Sequence, residues 1–241
     1  MRIALAQINN TVGDLDANCL KIVDFAKRAE AKGADVVVFP ELALSGYPPR
    51  DLVEKESFLD RTEAALQKLA CDTAAFKTTL IVGYVSKSPQ HSAIKAQNSA
   101  AVICGGKVIF KQTKMLLPNY DVFDEARYFE PGETQDIVEI AGRRVALAIC
   151  EDAWNDKQFW ERRRYSRDPI EELVARGAEI IITNQMVGMI FARTVIGVKD
   201  DEVFVERFGQ SHQFTGGGHG EAGAIEDQLV VAADHMNVDD G

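Results

Sequence analysis

Ile137–Cys150 reads IVEIAGRRVALAIC, two apolar runs with Ala141-Gly142 between them. A two-residue break ending in glycine between two such runs predicts a β-hairpin, because the turn needs backbone that glycine tolerates at low cost. Asn98–Gln112, NSAAVICGGKVIFKQ, repeats the pattern around Gly105-Gly106. Two hairpins exclude a purely parallel, doubly wound sheet. What remains is an α/β chain in which a sheet packs helices on one face and another layer on the other.

The segments outward from these hairpins fit that class. Arg2–Gln7 and Val36–Phe39 are short apolar strand candidates, the second ending at Pro40-Glu41. Between them Cys19, Ile22, Val23, Ala26 and Ala29 recur at helical spacing, and Gly33 is placed to stop the helix. Phe58, Ala65, Leu66 and Leu69 mark a second helix before the strand Thr79–Val85. Asp168-Pro169-Ile170-Glu171 joins an N-cap, a proline at the first helical position and an acid three residues on, so a helix runs to about Arg176 before the strand Glu179–Thr183.

The chain has 241 residues, 46% of them hydrophobic, and a formal charge of −10. That supports a folded core and disfavours nucleic acid or an anionic membrane as a partner. Its apolar runs are far shorter than the roughly 18 residues that span a bilayer, and the first residues make no secretory signal, so a cytoplasmic setting is expected. Cys19, Cys71, Cys104 and Cys150 form no C-x-x-C pair. Disulfides and structural zinc are therefore not expected, and each cysteine is a buried hydrophobe or a reactive thiol. The composition breaks at Asn184. Residues 185–241 hold 3 basic against 10 acidic side chains, 9 of the 18 glycines, and one leucine, Leu229. Two units are expected, a core over 1–184 and an acidic, Gly-rich tail over 185–241 that does not simply continue the core's packing.

Glu41, Lys114 and Cys150 each fall at or just past the end of an expected strand, where rigid backbone positions side chains and loops leave them accessible. Taken singly, each has an ordinary structural reading. If they converge, they suit acyl transfer from an amide to water. The thiol attacks as thiolate and needs a base, for which Glu41 serves. The oxyanion needs fixed donors, which Lys114 and the backbone N–H of Glu151 supply. A carboxyl group protonates the leaving ammonia and activates the water that follows. A thiol between Lys114 and a helix N-terminus is expected to be partly thiolate near neutral pH.

Three long words around these residues, FPELALSGYPPRDL at Phe39–Leu52, KMLLPNYDVFDEARYF at Lys114–Phe129 and ICEDAW at Ile149–Trp154, resemble the nitrilase (carbon–nitrogen hydrolase) superfamily. Gly46-Tyr47-Pro48-Pro49 and Leu117-Pro118-Asn119-Tyr120 point to one branch, the glutaminase domain of glutamine-dependent NAD synthetase. The resemblance covers about residues 1–184. It implies a nitrilase-like four-layer αββα sandwich, formed when two subunits pack together and here incomplete at its C-terminal end. It also implies a triad of Glu41 as general base, Lys114 as oxyanion-stabilising lysine and Cys150 as nucleophile. Tyr120 matches a tyrosine placed against bound glutamine, Glu151 joins the substrate site, and Glu125 resembles a second acid that positions the lysine. No cofactor is implied.

Beyond Asn184 the pattern departs. Family members carry a Ser-Pro-Phe word whose serine holds glutamine, where this chain reads Gln185-Met186-Val187-Gly188. The helix and strands that complete the second sheet are not traceable, apart from a weak echo in Val198–Val205, and no ATP-using synthetase domain follows. A frameshift or internal deletion in an ancestral gene accounts for this. Within the tail, Glu202–Phe208 and Gln228–Ala233 have strand character, and Gly216-Gly217-Gly218 reads as a turn. His212, His219 and His235 match no metal motif, and Arg162-Arg163-Arg164 reads as a solvated helix face. The expected function is a carbon–nitrogen hydrolase that releases ammonia from a small amide, glutamine by resemblance, with impaired glutamine turnover. The alternatives are a free-standing amidase or nitrilase on another small amide, and an idle fold remnant that survives as an oligomer. Loss of late strands would leave apolar sheet surface wet, so a homodimer or higher homo-oligomer is expected.

Overall fold

The structure, a computed structural model, describes residues 1–89, 92–120, 123–155 and 164–184 in full. It describes the strands over 194–199, 202–207 and 228–233 by their backbone. Eleven strands are described, and they form two sheets. The first has six: β1 (Arg2–Gln7), β2 (Val36–Val38), β3 (Thr79–Lys87), β4 (Ala96–Cys104), β5 (Lys107–Thr113) and β11 (Gln228–Ala233), in the order β11-β1-β2-β3-β4-β5. The second has five: β6 (Ile137–Ile140), β7 (Arg143–Ile149), β8 (Ile180–Asn184), β9 (Thr194–Lys199) and β10 (Glu202–Arg207), in the order β10-β9-β8-β7-β6. Both hairpins form as expected. Gly105 and Gly106 take φ of 54° and 81°, and Ala141 and Gly142 take 49° and 73°, the left-handed pair that a two-residue hairpin requires.

Helix α1 (Leu15–Ala31) starts where the Asp14 carboxylate accepts from Ala17 N–H and stops before Gly33, whose φ is 71°. It packs beside α2 (Glu56–Asp72) on the outer face of the first sheet, where Ile22, Phe25 and Leu66 meet Val37, Val82 and Tyr84. On the far side, α4 (Pro169–Ala175) begins with Asp168 accepting from Glu171 N–H and Pro169 at its first position, as the sequence foretells. Its Leu173 covers Ala146, Ala148 and Ile181 on the outer face of the second sheet.

Strand alternation sends the other face of each sheet inward. Leu5, Val36, Val38, Ile81, Ala100 and Val102 from the first sheet meet Val145, Leu147, Ile149, Ile180 and Ile182 from the second. Each Val, Leu or Ile side chain buried in this layer contributes about 1.5–3 kcal/mol relative to exposure, so the sheet–sheet contact adds a second core to the one beneath α1 and α2. All four layers come from one chain. That corrects the expectation that two subunits must pack together to make the αββα sandwich.

The strands over 194–233 join both sheets. β9 pairs antiparallel with β8 and with β10, and β11 pairs antiparallel with β1 along its whole length. The described parts of Val198–Val205 thus lie on the antiparallel strands β9 and β10 of the second sheet. Gln185–Gly188, Gly216–Gly218 and the three tail histidines lie outside the described residues, as do Arg162 and Arg163.

The inward face of β3 carries Gly83 two residues after Ile81, where the loop after β2 crosses it. A Cβ on Gly83 would lie 2.4 Å from the Leu42 nitrogen, 2.5 Å from the Pro40 carbonyl oxygen and 2.9 Å from the Glu41 carbonyl carbon. All three are backbone atoms, so relief requires moving the loop. Replacing Gly83 by alanine should cost about 1–3 kcal/mol, read as a lower urea midpoint at unchanged slope; an unchanged midpoint would show that the loop yields freely.

Candidate active site

At the C-terminal ends of β2 and β7 the inter-sheet layer changes from apolar to polar. Glu41 follows β2, and its side chain is buried. Lys114 follows β5 and is held back against the sheet by its own N–H, which donates to the Asn98 carbonyl at 2.8 Å. Its side chain is fully buried and its Nζ donates to Glu41 Oε1 at 2.7 Å and Glu125 Oε2 at 2.8 Å. Glu125 opens the one-turn helix α3 (Glu125–Tyr128) and also accepts from the Tyr47 hydroxyl at 2.9 Å. Asn98 Nδ2 donates to Glu41 Oε1 at 2.7 Å, so that oxygen holds two donors.

Cys150 closes β7 and begins a short 3-10 turn, Cys150–Ala153, with φ of 45°. A left-handed non-glycine residue at this position costs about 1–3 kcal/mol and persists only where its surroundings impose it. Here the imposing group is Asp152. Its Oδ2 accepts from Ile149 N–H at 3.0 Å, while its Oδ1 accepts from Met115 N–H at 2.9 Å and Leu116 N–H at 2.8 Å. One buried carboxylate therefore ties the backbone just before the cysteine to the backbone just after the lysine. Burial pushes the Asp152 carboxyl up to about 7, against the three backbone N–H groups that favour its charged form.

Glu151 presents both carboxylate oxygens to tyrosines: Tyr120 donates to Oε2 at 2.8 Å and Tyr165 to Oε1 at 3.0 Å. The Arg164 guanidinium lies 4.0 Å from the centroid of the Tyr120 ring. Burial first, then the Glu151 hydroxyl bond, pushes Tyr120 up to about 12, so it stays a donor.

The charges set the resting state. Burial opposes the Lys114 ammonium, but Glu41 and Glu125 outweigh it and hold the group well above the ordinary lysine value. Burial also pushes the Cys150 thiol well up, and Glu41, Glu125 and Glu151 add to this against the opposing pull of Lys114. This direction runs against the expected partial thiolate at neutral pH: burial is the main cause, and the carboxylates around the single ammonium act the same way. Burial likewise raises Glu125 despite the lowering effect of Lys114.

The structure thus brings Glu41, Lys114, Glu125 and Cys150 into one electrostatic unit, with Tyr120 and Glu151 beside it. Sequence reasoning missed Asn98, Asp152, Tyr47 and Tyr165. A polar residue leading the apolar run of β4 and an acid two places past Cys150 were the available signals. Among the described residues no group of three or more His, Cys, Asp or Glu side chains is arranged to hold a metal, and no helix is long and apolar enough to cross a membrane.

Alkylation of Cys150 should accelerate about tenfold per pH unit and show no plateau up to pH 9, because the folded thiol titrates above the free value. Glu41→Gln should move that profile to lower pH and Lys114→Met to higher pH. Mass-spectrometric labelling of each cysteine checks this, and a plateau near pH 7 would reverse the charge assignment.

Residues 2–193 match the family described as Carbon-nitrogen hydrolase. The glutamine-dependent NAD(+) synthetase of Thermotoga maritima is 43% identical over 155 residues, which is 64% of this chain and 26% of that protein. The structure of glutamine-dependent NAD+ synthetase from Acinetobacter baumannii has a TM-score of 0.66 at 28% identity, covering 79% of this chain and 33% of that one. An amidase from Nesterenkonia sp. shares the fold, with a TM-score of 0.68 at 19% identity over 96% of this chain and 89% of its own. This chain spans about a quarter to a third of the length of the curated synthetases it matches. It belongs to the carbon-nitrogen hydrolase family and has the fold of the nitrilase superfamily.

Proposed function

We propose that the chain hydrolyses the carbon–nitrogen bond of a small amide through a Cys150 thioester, with glutamine as the substrate class suggested by the synthetases it is similar to. One observation carries this reading. The Lys114 ammonium has three N–H donors, of which Glu41 and Glu125 take two, leaving the third for an oxygen that gains charge beside Cys150.

Glu41 takes the thiol proton as the sulfur attacks the carbonyl carbon. The oxyanion forms against the Lys114 ammonium and the Glu151 backbone N–H, in a buried site where such donors act strongly. When the carbon–nitrogen bond breaks, Glu41 returns the proton to the leaving nitrogen and ammonia departs. Water then attacks the thioester carbonyl, giving its proton to Glu41. The acid leaves, and the thiolate recovers that proton from Glu41. The proton relay suits the resting charges, since a neutral thiol beside a carboxylate becomes a thiolate beside a neutral acid without changing the total. A cavity of about 70 Å³ lined by Asn9, Asn10, Glu41 and Tyr47 lies next to the base and is large enough for water.

The core over 1–184 supplies these groups, and from residue 185 the sequence departs from the family word whose serine holds glutamine. Glutamine turnover is accordingly impaired by orders of magnitude relative to a complete pocket, and smaller amides are the better substrates. The oligomer expectation rests on missing late strands, whereas β9, β10 and β11 extend both sheets; light scattering at micromolar concentration decides the assembly.

Ammonia release from a panel of small amides and glutamine, with intact-mass detection of the acyl-enzyme, tests the proposal. Cys150→Ala should abolish both signals, while Glu41→Gln and Lys114→Met should each lower kcat by about 10²–10⁴-fold. Amide hydrolysis that survives Cys150→Ala, or efficient glutamine turnover, would overturn the corresponding part.

A further inference from the structure

We infer that the side-chain amide of Asn184 donates a hydrogen bond to the carbonyl oxygen of the bound amide substrate. The inference rests on the reading of Cys150 as nucleophile. Asn184 ends β8, in register with Ile149 of the parallel strand β7, so its Cα lies within about 5 Å of the residue that precedes Cys150. Ile180 and Ile182 point into the inter-sheet layer and Ile181 points away from it. Alternation therefore sends Asn184 to the inner side, at the level where that layer turns polar.

There the residue is 1% exposed, and its Nδ2 is buried with no hydrogen-bond partner in the protein. An orphaned buried donor calls for an explanation, because such a group loses its water and gains nothing in return. The other orphans around the site differ. Asn98 and Asn155 lack a partner only at Oδ1, and their amide nitrogens are engaged, by Glu41 in one case and by the Tyr165 and Arg167 carbonyls in the other. An under-used acceptor is commoner than an orphaned donor. Asn10 Nδ2 is a second orphaned donor, but its side chain is only half-buried.

A donor beside the nucleophile selects an acceptor, and on a small amide the carbonyl oxygen is the strong acceptor, since the amide nitrogen has no lone pair to offer. Asn184 would then act with Lys114 and the Glu151 N–H, reached from the second sheet rather than from the loops of the first.

The consequence is a separation that a structural role does not produce. If the amide is idle in the free protein, replacing it by an apolar side chain removes an unsatisfied group and leaves stability equal or higher, while substrate loses a donor. The test compares wild type with Asn184→Leu and with the smaller Asn184→Ala. It uses the Cys150-dependent nitrophenolate burst from p-nitrophenyl acetate, Cys150 labelling by methyl methanethiosulfonate, which has no carbonyl, and the thermal midpoint. Expected are a burst slowed at least about tenfold, labelling unchanged within about twofold, and a midpoint unchanged or raised in at least one variant. An unchanged burst overturns the inference. So does a midpoint that falls in both variants, which would make the amide structural. If wild type itself shows no burst beyond Cys150→Ala, the nucleophile reading fails, and the inference falls with it by a different signal.

Discussion

The buried ammonium of Lys114 is the constraint around which the molecule is arranged. Removing such a charge from water costs several kcal/mol, and deleting one partner of a buried pair typically costs about 3–5 kcal/mol. Glu41 and Glu125 offset that cost, each at hydrogen-bond distance. Their own positions are in turn set by Asn98 and Tyr47. The loop after β2, the strand β4, the loop after β5 and the turn at α3 must all be in place before the charge is tolerable. The site is therefore a property of the assembled first sheet, and it cannot form piecemeal.

The second sheet contributes the sulfur, and Asp152 is the joint between the two. It is an acid whose three acceptor bonds all go to backbone, two on the lysine loop and one on the cysteine strand. Such a joint ties the backbone beside Lys114 to the backbone beside Cys150. The inter-sheet layer shows the same economy. One or two residues along the chain from the core positions Ile81, Ala100, Ile149 and Ile182 stand Gly83, Asn98, Cys150 and Asn184, with Asn98 before its neighbour and the others after. The apolar interface becomes a polar candidate site within a single repeat of strand alternation.

Local rules explain how much of this the sequence discloses. The hairpin glycines, the Asp168-Pro169 cap and the apolar runs act through nearest neighbours, and the elements they mark lie where the pattern places them. The strand Glu202–Arg207 follows from the alternation of Glu202–Phe208, and Gln228–Ala233 from its apolar, β-branched run. Three matched words brought Glu41, Lys114 and Cys150 onto the page together. What stayed hidden depends on distant partners. Asn98 looks like the polar start of a strand until Glu41 lies beside it. Tyr165 is an unremarked aromatic until Glu151 meets its hydroxyl. The upward shift of the Cys150 thiol is not legible in the sequence, which shows a lysine nearby but neither the burial of the sulfur nor the carboxylates that close around that lysine. The assignment of the four layers to two subunits comes with the resemblance, and nothing local in the sequence says that β6–β10 fold back onto β1–β5 to correct it.

The pairing of β1 with β11 has a consequence for how the chain reaches this state. Residues 2–7 hydrogen-bond residues 228–233, nearly the whole sequence away. Until that partner is synthesised, one side of β1 is an open edge of unsatisfied N–H and C=O groups beside a fully apolar neighbour, β2. Contacts of such separation are slow to form because the loop must close before they reward it, and open edges invite pairing with other chains in the interval. Chains that lack residues 228–233 would leave that edge of β1 open, which makes them prone to pair with other chains.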